Sequence, residues 1–126
     1  MISGKKRIMI ADDEEFIRSL VAATLGGDER FEVILARDGE ETMELAQRER
    51  PDLILLDILM PKLNGLEVCR QLKGNSETSH IKVIMLTALG DAAHEMRARE
   101  AGADGYFSKP FSPTALLRCI EEVLNL

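Results

Sequence analysis

Leu53-Ile54-Leu55-Leu56-Asp57 is an unbroken apolar run that ends on an acid. A strand with one wet face would alternate apolar and polar residues. A run without alternation fits a strand buried on both faces, as in the middle of a parallel sheet. Val83-Ile84-Met85-Leu86-Thr87 repeats the pattern and again ends on a polar residue. Around these two runs, apolar stretches and helix-period segments alternate along the whole chain. Ile8-Met9-Ile10-Ala11 is followed by Ile17, Leu20, Val21, Thr24 and Leu25 on one helical face, with Gly26-Gly27 as the stop. Phe31 to Ala36 is followed by Asp38 and Glu41, a capping-box pair opening a helix with Met43, Leu45 and Ala46. Asn64 and Glu67 form a similar pair ahead of Leu66, Cys69 and Leu72, and Gly74 to His80 reads as a surface loop. A helix from about Ala92 to Ala101 stops at Gly102, and a short strand at Tyr106 and Phe107 leads to Ser112-Pro113, an N-cap with proline at the first helical position. Five strand-helix units in succession predict an α/β fold with right-handed crossovers, a parallel sheet and helices on both faces.

Composition narrows the classes of function. The 126 residues, 45% hydrophobic, are enough for one domain with a real core, so residues 1–126 are expected to form a single domain. No apolar stretch approaches the roughly 18 residues of a membrane span, and no secretory signal opens the chain. A cytoplasmic location is expected. A formal charge of −6 argues against direct binding of nucleic acid. Cys69 and Cys119 each sit in a helical apolar pattern and read as buried thiols rather than a bridge.

Ligands of an open parallel sheet bind in the crevice at the carboxyl ends of its strands. The residues expected there are Asp12 and Asp13 after the first strand, Asp57 at the end of the third, Thr87 at the end of the fourth and Lys109 after the fifth. Carboxylates gathered in one crevice repel each other, and a divalent cation relieves the repulsion. All-oxygen ligation suits Mg²⁺ or Mn²⁺, whereas zinc favours His and Cys. His80 and His94 stand alone in sequence and read as surface or rim histidines. A metal, a carboxylate, a hydroxyl and a lysine together suit phosphoryl transfer, which asks mainly for charge neutralisation and in-line positioning. Asp57 is the candidate nucleophile, with Lys109 and Thr87 as partners for phosphoryl oxygens. Glu14 and Glu15 read as acids favouring a helix start.

These residues resemble the receiver domains of two-component response regulators. The likeness rests on Asp12-Asp13, Asp57-Ile58-Leu59-Met60-Pro61 with Gly65, Leu86-Thr87-Ala88, Gly102-Ala103-Asp104-Gly105-Tyr106 and Lys109-Pro110-Phe111. It implies a flavodoxin-like sheet of order 2-1-3-4-5. It implies that a sensor histidine kinase or a histidine phosphotransfer protein phosphorylates Asp57, with Mg²⁺ ligated by Asp13, Asp57 and the Leu59 carbonyl and Asp12 helping through water. It implies that Thr87 and Tyr106 act as switch residues, remodelling the face made by the fourth helix, fifth strand and fifth helix for a downstream protein or effector domain. Phosphorylation-dependent dimerisation through that face is compatible with this. Gly65 matches a glycine of the family's loop, Ala88 a small residue beside the phosphoryl group, and Lys109-Pro110 a cis peptide.

Further expectations concern mobility and lifetime. The apolar residues of the fourth helix are mostly alanines, with Met96 as the one large one, so its docking should be shallow and readily altered. Leu59 and Leu89 occupy positions where the family's side chains influence attack of water. Both are apolar, which predicts slow self-dephosphorylation. Competing readings are a metal-dependent phosphohydrolase and an interaction domain that ignores phosphorylation. The first typically needs a second acid two residues past the nucleophile, where Leu59 stands, and a cap over its substrate. A nucleotide site lacks its Gly-rich loop.

Overall fold

A computed structural model describes residues 4–88, 92–109 and 112–126. Strand and helix alternate as β1 (Lys6–Ala11), α1 (Glu15–Gly26), β2 (Phe31–Ala36), α2 (Gly39–Glu49), β3 (Leu53–Asp57), α3 (Gly65–Gly74), β4 (Lys82–Ala88), α4 (Ala92–Glu100), β5 (Gly105–Lys109) and α5 (Pro113–Leu124). Every strand pairing is parallel and the order is β2-β1-β3-β4-β5, as expected.

The period of two along each strand sorts the core into two layers. Leu53 and Leu55 join Ile8, Ile10, Ile84 and Leu86 on one face, covered by Ile17, Val21 and Leu25 of α1 and Leu116 and Ile120 of α5. Ile54 and Leu56 join Met9, Ala11, Val83 and Met85 on the other, covered by α2, α3 and α4. All five residues of β3 are buried, which explains the missing alternation. Each large side chain so buried contributes roughly 1.5–3 kcal/mol. The central strands are therefore the least mobile part of the molecule, and their carboxyl ends are firm places to mount chemistry.

The helix starts follow their capping residues. Asp38 accepts from the Glu41 N–H at 2.8 Å, and Glu41 reaches back to the Arg37 N–H at 2.7 Å, one residue earlier than in the usual reciprocal box. Asn64 accepts from the Glu67 N–H at 3.0 Å, but Glu67 pairs with Arg70 and Gln71 instead of returning the bond. Ser112 accepts from the Ala115 N–H at 3.0 Å. Cys69 and Cys119 are both free thiols. Burial pushes the Cys69 thiol up to about 11, so it packs and does not react.

In helix α4 Met96 faces water, 63% exposed, and Ala98 is the buried residue among those described. At about 100° per residue, Met96 lies roughly 200° around the helix from Ala98 and faces water. The stop at Gly102 is as expected, with φ +95 at that residue. Asp104 then anchors the return, accepting from the Val83 N–H at 2.9 Å and from Lys73 Nζ at 2.8 Å. Ala98 buries little apolar area, so α4 is shallowly seated there, as expected.

Candidate active site

Strand register brings the polar ends together. Ala11 pairs with Leu56, so Asp12 and Asp57 stand side by side one step further on. Asp57 pairs with Leu86, which places Thr87 one step beyond it, and Lys109 lies opposite Ala88. Backbone hydrogen bonds extend the ladder through this edge, from Asp12 N–H to Ala36 O at 3.1 Å and from Ile58 N–H to Leu86 O at 3.1 Å. These polar groups thus sit on continuing sheet rather than on free loop.

Asp13, Glu14, Asp57, Leu59, Thr87 and Lys109 line one cavity of about 220 Å³. Asp12, Asp57 and Thr87 are buried and Asp13 is exposed. Oxygens of Asp12, Asp13 and Asp57 lie within 4.8 Å of one another. Lys109 Nζ is 2.7 Å from Asp12 Oδ2 and 3.6 Å from Asp57 Oδ1. A larger depression of about 340 Å³, between α4 and β5, is lined by Glu95, Arg99 and Tyr106 among others and holds none of these groups.

Electrostatics show what the cluster lacks. Burial pushes the Asp57 carboxyl up to about 6, and Asp12 adds to the rise, while Lys109 opposes it. Burial works against the Lys109 ammonium, yet Asp12 and Asp57 hold its pKa above the ordinary value. One lysine does not balance three carboxylates. The all-oxygen donor set, one edge of it open to solvent, fits a hard divalent cation such as Mg²⁺ and offers nothing to a soft one.

The acids, the threonine and the lysine predicted from sequence all meet here. Leu59 lies at the rim with 67% of its surface exposed, so it cannot seal the cavity against water. Tyr106 is half-buried against the core beside α4, away from the cavity. Gly65 has a sharper reason than a helix start: a Cβ there would fall 2.1 Å from the Asp57 carbonyl oxygen. Leu89, the Lys109-Pro110 bond and the Ala88 side chain lie outside the described residues. Two residues escaped sequence reasoning. Glu14 occupies the cap of α1 without a side-chain capping bond and turns to Lys109 instead, Oε1 at 3.3 Å from Nζ. His94, in the first turn of α4, places Nδ1 3.3 Å from Thr87 Oγ1.

Comparison with known proteins agrees with this geometry. The family model described as "Response regulator receiver domain" matches residues 8–121, and the chain belongs to that family. Its standard function is a phosphorylation switch in two-component signalling, and its members interact with histidine kinases or phosphotransfer proteins. Among curated proteins, "Probable transcriptional regulator ycf27" of Cyanophora paradoxa is 45% identical over 97% of this chain and 49% of its own length. The alkaline phosphatase synthesis transcriptional regulatory protein PhoP of Bacillus subtilis is 41% identical over 95% of this chain and 49% of its own. The chain spans about half the length of these relatives. Among solved structures, chemotaxis protein CheY4 of Vibrio cholerae superposes with a TM-score of 0.87 at 32% identity, covering 94% of this chain and 98% of that one. The family is a signalling switch and not a metabolic enzyme. No helix among the described residues is long and apolar enough to cross a membrane.

Proposed function

We propose that Asp57 is the phosphoacceptor of this receiver domain, and that its phosphorylation is the event that changes the protein's output. The observation that carries the reading is the meeting, in one cavity, of a buried carboxylate, two further acids, a lysine ammonium and a threonine hydroxyl from four different strand ends. An Asp57 carboxylate oxygen attacks the phosphorus of a phosphohistidine on a sensor kinase or phosphotransfer protein. The P–N bond breaks, the imidazole leaves with the electron pair, and an acyl phosphate forms on Asp57. Lys109 neutralises one phosphoryl oxygen and Thr87 donates its hydroxyl to another. Asp12, Asp13, Asp57 and the Leu59 carbonyl would hold Mg²⁺, which supplies positive charge to the phosphoryl oxygens. Hydrolysis resets the domain: water attacks phosphorus, the P–O bond to Asp57 breaks, and the carboxylate and inorganic phosphate are released.

The output is proposed to pass through α4, β5 and α5, with Tyr106 repositioned beside the shallowly seated helix, to a partner protein, a joined effector domain or a second copy of the chain. Labelling tests the core of this reading. Acetyl phosphate with Mg²⁺ is expected to add one phosphoryl group per chain, measured by intact mass, with none in Asp57→Asn and none in the presence of a chelator. Label that persists in Asp57→Asn would place the acceptor elsewhere.

Phosphoryl lifetime follows from Leu59. Because its side chain is exposed, it slows hydrolysis by offering no polar atom to hold a water rather than by excluding water. Leu59→Asn supplies such an atom at the rim. The lifetime of the acyl phosphate is expected to fall several-fold, within the ~10-fold that about 1.4 kcal/mol of barrier provides. An unchanged or longer lifetime in the variant would remove the water-orienting explanation.

A further inference from the structure

Thr87 is only 3% exposed, and among the described residues its hydroxyl lies at hydrogen-bond distance from His94 Nδ1, 3.3 Å. A hydroxyl has one proton to give. While the imidazole accepts that proton, it is withheld from any phosphoryl oxygen on Asp57. The two residues lie on different elements, Thr87 on β4 and His94 in the first turn of α4. α4 is also the helix seated by Ala98 rather than by a large side chain. The Thr87–His94 hydrogen bond joins the first turn of α4 to the end of β4.

We propose that His94 is a positioning residue that holds the Thr87 hydroxyl in its resting place, so that phosphorylation of Asp57 must draw Thr87 off His94 and in doing so loosens the start of α4. This rests on the reading of Asp57 as phosphoacceptor and of Thr87 as a phosphoryl ligand. His94 does not touch the phosphoryl group. It sets how readily Thr87 reaches it, and it couples that movement to the helix on the output face. Nδ1 is the acceptor of this bond when the imidazole carries its proton on Nε2. On phosphorylation the hydroxyl exchanges a neutral nitrogen for a charged oxygen, a stronger acceptor, which gives the exchange its direction.

Three variants at this position separate the device from a merely structural contact. His94→Ala suits a helix and leaves the hydroxyl uncommitted. His94→Phe keeps the ring without the nitrogen, and His94→Asn keeps an acceptor oxygen about where Nδ1 stood. With acetyl phosphate and Mg²⁺, the alanine and phenylalanine variants are expected to label roughly five-fold faster than wild type, the scale of one net hydrogen bond, while the asparagine variant keeps the wild-type rate. In a Thr87→Ala background the gain from His94→Ala should vanish, because the residue acts only through the hydroxyl. Amide hydrogen exchange in the first turn of α4 should rise on adding beryllofluoride with Mg²⁺ to wild type, and should already be raised in unlabelled His94→Ala. Wild-type or slower labelling in His94→Ala, an asparagine variant that behaves like alanine, a gain that survives without Thr87, or unchanged exchange would each overturn the proposal. If wild type itself takes no label, the phosphoacceptor reading falls first; if wild type labels normally and the His94 variants match it, only this inference falls.

Discussion

Metal-free Asp57→Asn is expected to be more stable than the metal-free wild type at pH 7.5, by about 2–3 kcal/mol, and to take no phosphoryl group. The Asp57 carboxyl is pushed from its ordinary value of 3.8 up to about 6, first by burial and then by Asp12, against the pull of Lys109. A raised carboxyl pKa means that the folded state binds more protons than the unfolded state between about pH 4 and pH 6, so stability falls as pH rises through that window. Above it the full penalty of holding the charge is present, and each tenfold change in proton affinity is worth about 1.4 kcal/mol. Asparagine keeps the shape without the charge. Chemical denaturation in chelator should show the gap at pH 7.5 and its closure towards pH 4, where the wild-type carboxyl is neutral. Millimolar Mg²⁺ should then raise the wild-type midpoint and leave the variant nearly unmoved, since the charge that the ion relieves is gone. A gap that ignores pH, or a variant less stable than wild type in chelator, would show that Asp57 is not the strained member of the cluster. The strain has a use: a carboxylate poorly solvated by its own protein is poised for a cation and a phosphoryl group together.

What could be read from the sequence, and what could not, divides along physical lines. Asp57, Thr87 and Lys109 were legible because each ends or follows a strand, and a parallel sheet delivers all such ends to one edge. Glu14 was not, because an acid at a helix start looks the same whether it caps the helix or turns away. Its missing capping bond and its approach to Lys109 appear only in three dimensions. His94 was hidden for a related reason: its partner Thr87 is on another element, and no fixed spacing joins a strand end to the next helix. Met96, the one large apolar residue of α4, is no guide to the buried side, because it faces water. In α4 the buried position is Ala98 while Ala93 is exposed, so alanines stand on both sides and leave the pattern without contrast.

Gly65→Ala is expected to damage both fold and chemistry, although it adds a single methyl group. The added Cβ would lie 2.1 Å from the Asp57 carbonyl oxygen, 2.9 Å from its carbon and 3.0 Å from Ile58 Cα. These are backbone atoms of a strand end locked on both sides, by Ile58 N–H to Leu86 O at 3.1 Å and by Gly65 N–H to Ile58 O at 2.8 Å. No side chain is available to rotate away, so either α3 or the end of β3 must shift by about an ångström. Overpacking against fixed structure costs about 1–3 kcal/mol, and a break in the clamp would add to it. Displacing the Asp57 carboxylate by about an ångström is expected to slow labelling on the order of 100-fold. Gly26→Ala provides the control. Gly26 ends α1 with nothing within 4 Å of its would-be Cβ, and there alanine should be neutral or stabilise by up to about 1 kcal/mol. Comparing the two variants by urea denaturation and by labelling from acetyl phosphate separates the general effect of replacing glycine from the specific effect of touching Asp57. Near-wild-type labelling in Gly65→Ala would mean that the strand end tolerates displacement, and that the close approach of the glycine is packing alone.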